Sequence, residues 1–328
     1  MKAIVQTVYG SPDVLQHKEI PKPAPKGDEV LVRIYAASLN AADFEIMRGT
    51  WTARLGGPFK PANKIPGSDL AGRVEAVGRN VKQLKPGDEV WGDLSFPYRY
   101  GTFAEYVSVS EKALTKKPAS MTFEEASTYP QAAIIPLQTL RDKGKVQPGQ
   151  KVLINGAGGG QGTFAVQIAK YYGAEVTGVD SAKKLNMLRS INADHVIDYT
   201  QQDYTKSGQR YDLIFDFVAN RSVFDYRRAL SPEGQFMIVG GSLGAFLQVV
   251  ALGTLMSMIG SKKLSLNKYE PNNREDLAML AELFEAGNVV PVIDRYYPLS
   301  EVPEALRYLE EGQAQGKVVI TMGKNNTP

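Results

Sequence analysis

Residues 151–180, KVLINGAGGGQGTFAVQIAKYYGAEVTGVD, hold the densest chemistry-bearing pattern in the chain. Gly156, Gly159 and Gly162 follow a G-x-x-G-x-x-G spacing, with Gly158, Gly160 and Gln161 filling the turn. An apolar run at 152–154 precedes the glycines. An amphipathic stretch follows, with Phe164, Ala165, Ile168, Ala169 and Tyr172 on one face. A second apolar run, 175–179, ends in Asp180. Strand, glycine turn, helix, strand and acid together form a unit that receives the pyrophosphate of a dinucleotide. Unpaired N–H groups and roughly half a positive charge at the helix start attract phosphate oxygens. Residues without Cβ let the backbone come close to them. Gly156, Gly159, Gly160, Gln161 and Gly162 are therefore candidate cofactor-binding residues.

The far end of this unit carries two opposed signals. An acid at the tip of the second strand accepts hydrogen bonds from a ribose 2′-OH and repels a 2′-phosphate, so Asp180 points to NAD. Ser181, Lys183 and Lys184 follow at once. Their two cations stand against the charge of that acid, so the residues alone leave the choice between NAD and NADP open.

The unit needs a scaffold on either side. Residues 1–120 read as β-rich: 3–8, 16–20, 29–37, 70–77, 89–91 and 102–107 are short alternating or β-branched runs between Pro and Gly turns, as in a small barrel. A short helix is expected at 40–48 and a long loop at 49–66. Thr122 and Glu125 form a capping-box pattern that opens a helix, and a second helix is expected at 137–143. Beyond the glycine unit, strand and helix signals alternate: helix 182–191, strands 195–198 and 212–218, helix 223–230, strand 234–239. That alternation marks a parallel sheet covered on both faces. A helix at 274–286, a short strand near 292, a helix from about 300 to 310 and a strand at 317–321 complete the chain.

Composition narrows the function. The 328 residues carry a net charge of +3 with mixed signs and no polybasic block, so no nucleic-acid partner is expected. No cysteine is present, which excludes disulfides, thiolate catalysis and cysteine-ligated zinc and fits a reducing cytoplasm. His17 and His195, far apart, offer no multi-histidine metal site. The N-terminal MKAIVQTVYG reads directly as a strand and not as a signal peptide. Residues 243–260 are apolar enough on paper to span a bilayer. Their glycines, Gln248 and Ser257, and their place inside an α/β unit argue against a transmembrane segment. A buried or dimer-facing helix, or an apolar lid with a peripheral membrane contact, is the expectation.

Seven blocks occur in an order that resembles a known family: SLNAADFEIMRG (38–49), IPGSDLAGRVEAVG (65–78), LKPGDEVWG (84–92), GTFAEYV (101–107), the stretch 147–162, NADHVIDYT (192–200) and GKVVIT (316–321). Together they resemble the zinc-free branch of the medium-chain dehydrogenase/reductase superfamily, nearest its quinone oxidoreductase-like and enone-reductase members. The resemblance covers essentially the full length. It implies an α/β fold: a GroES-like β-barrel catalytic domain at 1–121, a doubly wound Rossmann-type parallel sheet domain at 122–264, and a C-terminal segment, 265–328, that returns to the catalytic domain.

The resemblance also implies chemistry. The zinc-dependent branch holds its metal with two cysteines and a histidine, and by motif alignment Asn40, Ser68 and Gln131 occupy those positions. None is a good zinc ligand, so the protein is expected to work without metal. Hydride addition to a quinone or an α,β-unsaturated carbonyl gives a delocalised anion that hydrogen bonds can stabilise, whereas a simple alkoxide asks for a Lewis acid. Asn40 is the expected polar catalytic residue near the nicotinamide or substrate oxygen, with a structural role capping the short helix as the alternative, and the final proton is expected from water or a tyrosine such as Tyr98. Phe44, Trp51 and Phe96 fall in segments expected to line a hydrophobic substrate pocket. Tyr199, Val218 and Gly240 match cofactor-contacting positions, and family habit tips the balance at Asp180 and its neighbours toward NADPH, with NADH as the alternative. Ile135 and Pro136 depart from the family, where a threonine and a small residue are usual. The expected function is NAD(P)H-dependent reduction of quinones or enones on a small hydrophobic substrate, by a homodimer. The alternatives are a metal-free enzyme acting on another hydrophobic carbonyl and an NADPH-binding protein with a non-catalytic role.

Overall fold

The structure is a computed structural model that describes residues 1–95, 101–253 and 261–323. Two compact units divide the chain. The first comprises Met1–Ala132, Pro271–Ala281 and Ile293–Pro328; the second comprises Ala133–Glu270 and Glu282–Val292.

The first unit is built on a seven-stranded sheet. Ile293–Pro298, Lys317–Thr321, Glu29–Ser38, Asp69–Val77, Glu89–Asp93 and Thr115–Lys116 lie side by side, and Tyr106–Ser110 also pairs with Glu29–Ser38. All neighbours are antiparallel except the pair Ile293–Pro298 and Lys317–Thr321. Alternation sets which face is buried. Val30, Val32 and Ile34 enter one apolar cluster with Leu70, Val74 and Val90. Ala37, Val318 and Ile320 enter another, beneath the helix Val302–Glu310.

Several local expectations need correction here. The segment 49–66 is not all loop, because Trp51–Gly56 is helical. Arg54 ties the turn off by donating to the carbonyls of Gly49 at 2.8 Å and Pro58 at 3.0 Å. The strand expected at 102–107 begins only at Tyr106, and Ala104 contributes a single bridge to Ala3. The boundary expected at 121/122 falls later. Thr122 and Glu125 do form their capping box, but the helix Phe123–Ala126 stays with the first unit: Phe123 stacks on Tyr35 at 4.5 Å and Ser38 donates to the Ser127 carbonyl at 2.8 Å.

The second unit holds a six-stranded, all-parallel sheet in the order His195–Asp198, Glu175–Asp180, Lys151–Asn155, Tyr211–Asp216, Leu230–Ile238, Lys263–Leu266. Its two central strands are apolar in their interiors, at 152–154 and 213–215, as burial on both faces requires. The expected boundary at 264/265 would cut the sixth strand, whose Leu264 is buried against Val249 and Phe236. The helix expected at 137–143 starts earlier, at Ile134–Gln138, and continues as a widened turn, Thr139–Lys143. Pro136 fits in the first turn, where its missing N–H leaves no bond unmade. In the apolar stretch 243–260, Leu243–Gln248 is a helix and Val249–Gly253 a widened turn; 254–260 lie outside the described residues. Among the described residues no helix is long and apolar enough to cross a membrane.

Candidate active site

The glycine turn sits between the strand Lys151–Asn155 and the helix Gly160–Tyr171, with Gly159 at the N-cap. Gly156 has φ +80°, a conformation only glycine adopts without strain. A Cβ on Gly162 would stand 2.2 Å from the Gly156 carbonyl oxygen, so the helix packs directly on the turn. The N–H groups of Gly160, Gln161 and Gly162 open the helix, where no preceding turn accepts them. Gln161 Oε1 is buried there without a hydrogen-bond partner. A cradle free of Cβ atoms, lined by helix N–H groups, fits a dinucleotide pyrophosphate.

Asp180 does not point away from this turn. Its Oδ2 accepts the Gly158 N–H at 2.8 Å, its Oδ1 accepts the Ser181 N–H at 2.8 Å, and Lys184 Nζ lies 3.6 Å from Oδ1. Asp180 and Lys184 are both buried, and a Cβ on Gly158 would strike the side chains of both. The acid thus clamps the turn and carries its own counter-charge. Ser181 is half-buried, Lys183 is exposed, and the exposed Tyr199 joins the same edge by donating its N–H to the Asp180 carbonyl at 3.2 Å. Val218 is half exposed, with its methyls close to the Gly156 position. The Gly240 carbonyl accepts the Ala219 N–H at 3.0 Å. These residues lie at the carboxyl ends of the strands of one sheet.

In the first unit the sheet pairing brings polar groups together under the surface. Ser38 faces Asp69, and Asp69 faces Asp93, in register across three strands. Asn40, at the N-cap of the helix Ala41–Arg48, donates its backbone N–H to Asp43 at 2.8 Å. Its Nδ2 donates to Asp69 at 2.9 Å and to Ser68 Oγ at 3.2 Å. Its Oδ1 accepts from Lys317 Nζ at 2.7 Å, and Lys317 also donates to the Leu39 carbonyl at 2.8 Å. Burial pushes Asp43 up to about 7, against the pull of the Asn40 N–H and the Lys317 charge. Burial raises Asp69 well above the carboxylate range, with Lys317 opposing and Asp93 reinforcing the shift. Lys317 is lowered by its own burial while the three aspartates hold it up.

Both Asn40 amide hydrogens are directed at Asp69 and Ser68, and its contacts make it a brace of the buried cluster. Phe44 packs half-buried against the apolar cluster containing Ile4 and Met47, and Trp51 is partly exposed at the start of its helix. Phe96 and Tyr98 lie outside the described residues. Sequence reasoning missed Lys317, Asp69 and Asp216. A lysine opening the strand KVVIT reads as solvated, but an acid inside GSDLAG or at the tip of the apolar run DLIFDF is a signal that could have been used.

A GroES-like barrel unit and a doubly wound unit with a nucleotide turn define a class of nicotinamide-dependent oxidoreductases. The family described as alcohol dehydrogenase GroES-like domain matches residues 26–119, and that described as zinc-binding dehydrogenase matches 191–320. A 2-methylene-furan-3-one reductase of Solanum lycopersicum is 36% identical over 98% of this chain and 79% of its own length. An NADPH-dependent alkenal/one oxidoreductase of Arabidopsis thaliana chloroplasts is 34% identical, with the same two coverages of 98% and 79%. The solved structure of the quinone oxidoreductase from Coxiella burnetii superposes with a TM-score of 0.88 at 28% identity, covering 98% of this chain and 99% of that one. The chain belongs to the medium-chain dehydrogenase/reductase superfamily, in its quinone oxidoreductase-like branch.

Proposed function

We propose that this protein reduces quinones or α,β-unsaturated carbonyl compounds with NADPH and without a metal. The bound nicotinamide supplies the hydride. The observation that carries the reading is the donor set at positions 40, 68 and 131. Asn40 donates to both Ser68 and Asp69, and Gln131 is a neutral amide. Without thiolate or imidazole, such a set is poorly suited to zinc and favours acceptors whose negative charge delocalises on reduction. The similarity to a 2-methylene-furan-3-one reductase and an alkenal/one oxidoreductase supports the same substrate class.

NADPH over NADH is supported by the posture of Asp180. Its carboxylate oxygens are turned onto Gly158 and Ser181 and its charge is offset by Lys184, which removes the repulsion an outward acid would exert on a 2′-phosphate. Ser181 and Lys183 stand beside it with a hydroxyl and a cation. Tyr199, Val218 and Gly240 are the further cofactor contacts in this reading, with Phe44, Trp51 and Phe96 on the substrate side. A reducing cytoplasm suits the cysteine-free chain. A homodimer is the assembly we propose, to be read from its mass in solution.

The test is purified protein mixed with NADPH and a panel of quinones and enones, followed by loss of the reduced-nicotinamide absorbance. Turnover on conjugated acceptors and none on simple ketones is expected. Cofactor binding with no turnover on any acceptor would overturn the reading. Stoichiometric zinc by elemental analysis, with activity lost to a chelator, would overturn its metal-free part.

A further inference from the structure

The strand order of the parallel sheet reverses between Lys151–Asn155 and Tyr211–Asp216. The chain first runs outward from Lys151–Asn155 through Glu175–Asp180 to His195–Asp198. It then returns and continues on the other side. In open α/β sheets a ligand crevice lies beyond the carboxyl ends of the strands at such a reversal. Asn155 and Asp216 are the cross-strand pair at that point, and Asn155 Nδ2 donates to Asp216 Oδ1 at 2.9 Å. The same oxygen accepts the Val218 N–H at 2.9 Å. The hydroxyl of Tyr204 lies 3.5 Å from Oδ2, and that of Tyr226 also hydrogen-bonds this carboxylate. The Tyr226 oxygen in turn accepts the N–H groups of Asn220 and Arg221, each at 3.1 Å.

One carboxylate and one phenol thus hold three backbone amides of the loop that follows Tyr211–Asp216. The loop leans on the glycine turn: a Cβ at Gly156 would meet Val218 methyls at 3.4 Å. The holding groups are themselves immobile. Asp216 and Tyr226 are 0% exposed, and the Tyr226 ring stacks on Phe236 at 3.9 Å.

We infer that Asp216 is a positioning residue for the cofactor: through Val218, Asn155 and Tyr226 its carboxylate latches the loop 217–221 to the strand bearing the glycine turn, and so shapes the crevice that receives the nucleotide. This rests on the nucleotide-binding reading above. Purely structural packing would not ask for a carboxylate, since removing one from water is costly unless every oxygen is hydrogen-bonded. The surroundings also make the latch titratable. Burial raises Asp216 to about 6, while Val218, Asn155, Tyr226 and Tyr204 act against that shift. The charged groups bordering the cluster are Asp203 and Arg221, paired at 2.8 Å, with Lys206 3.7 Å from Asp203 and the Arg221 guanidinium 5.7 Å from the Tyr204 ring. Protonation of Asp216 turns an acceptor into a donor and takes from Tyr226 the partner that aims its oxygen at the loop.

The test is NADP⁺ binding, measured by calorimetry between pH 5 and 8, on wild type, Asp216→Asn and Tyr226→Phe. Amide hydrogen exchange of 217–222 is followed in parallel. At pH 7.5, Asp216→Asn should bind about tenfold more weakly, the scale of one charge-assisted hydrogen bond, and exchange faster at Val218, Asn220 and Arg221. As pH falls through 6, the wild-type affinity should drop toward that of the variant. The 2′-phosphate titrates near pH ~6 in both proteins, so the difference between the two profiles isolates Asp216. Parallel profiles, or unchanged affinity in a folded Asp216→Asn, would overturn the inference. If that variant does not fold, Tyr226→Phe decides: faster exchange with weaker binding supports the latch, and faster exchange with unchanged binding overturns it. Wild type that binds neither NADP⁺ nor NAD⁺ at any pH would overturn the nucleotide reading itself, and the latch with it.

Discussion

The ammonium of Lys317 stands 2.7 Å from Oδ1 of Asn40 and 3.9 Å from the carboxylate of Asp69, with all three residues closed off from water. Asp43 and Asp93 are buried around the same cation, and Asp69 Oδ1 has no hydrogen-bond partner. One positive charge therefore faces three acids in a region of low dielectric.

Lys317→Met should be costly. Removing the ammonium leaves the buried acids without the cation that opposes the cost of their burial, and roughly 3–5 kcal/mol of stability is the expected loss. Denaturant unfolding measures it. The double variant Lys317→Met/Asp69→Asn should recover part of the loss, because the orphaned carboxylate is gone. A single variant as stable as wild type would mean that Lys317 does not balance the cluster.

Asp43 sets a pH dependence of stability. Its folded value of about 7 lies above the unfolded 3.8. Between those values the folded protein holds a proton that the unfolded chain has released, so this contribution is full below about 4 and drains away as pH rises through 7. Relative to Asp43→Asn, wild type should lose about 2–3 kcal/mol between pH 5 and 8. Thermal melts of the two proteins across that range provide the comparison, and curves that stay parallel would exclude the effect.

Lys184 should govern cofactor preference by way of Asp180. Lys184→Met leaves the acid without its counter-charge beside the ribose, and the NADPH-to-NADH affinity ratio should fall about tenfold or more, as expected for an uncompensated like charge a few ångströms from a phosphate. Asp180→Ala should weaken both cofactors, because the Gly158 and Ser181 N–H groups lose their acceptor. Fluorescence titrations with both cofactors resolve the two patterns.

Two glycines in the turn should respond differently to alanine. Gly162→Ala drives a Cβ to within 2.2 Å of backbone oxygen and should cost about 1–3 kcal/mol of stability. At Gly159 a Cβ would meet only the Gly156 oxygen, at 3.4 Å. That variant should stay folded and lose cofactor affinity, since the methyl occupies the pyrophosphate's approach. Melting temperature and cofactor Kd, measured together, separate packing from binding.

What was legible in advance follows from range. Thr122 with Glu125, and the apolar run before Gly156, act within a few residues, and their geometry came out as their spacing implied. The helix Trp51–Gly56 was not legible, because Arg54 closes it by reaching carbonyls at 49 and 58 from a stretch rich in Pro and Gly. Asn40 was legible only in part: its neighbours announce the helix cap that it forms, whereas the partners of its amide, Asp69, Ser68 and Lys317, lie 28 to 277 residues away.

By itself the sequence determined the alternation of strands and helices, the glycine turn and the acid at Asp180, because hydrophobic periodicity and backbone freedom are local properties. Only the tertiary structure decided which way Asp180 turns, that Lys184 rather than solvent balances it, and that Asp43, Asp69 and Asp93 converge on Lys317. Those outcomes depend on strand register and on burial. A carboxylate's partners and its affinity for protons are properties of the space that folding closes around it.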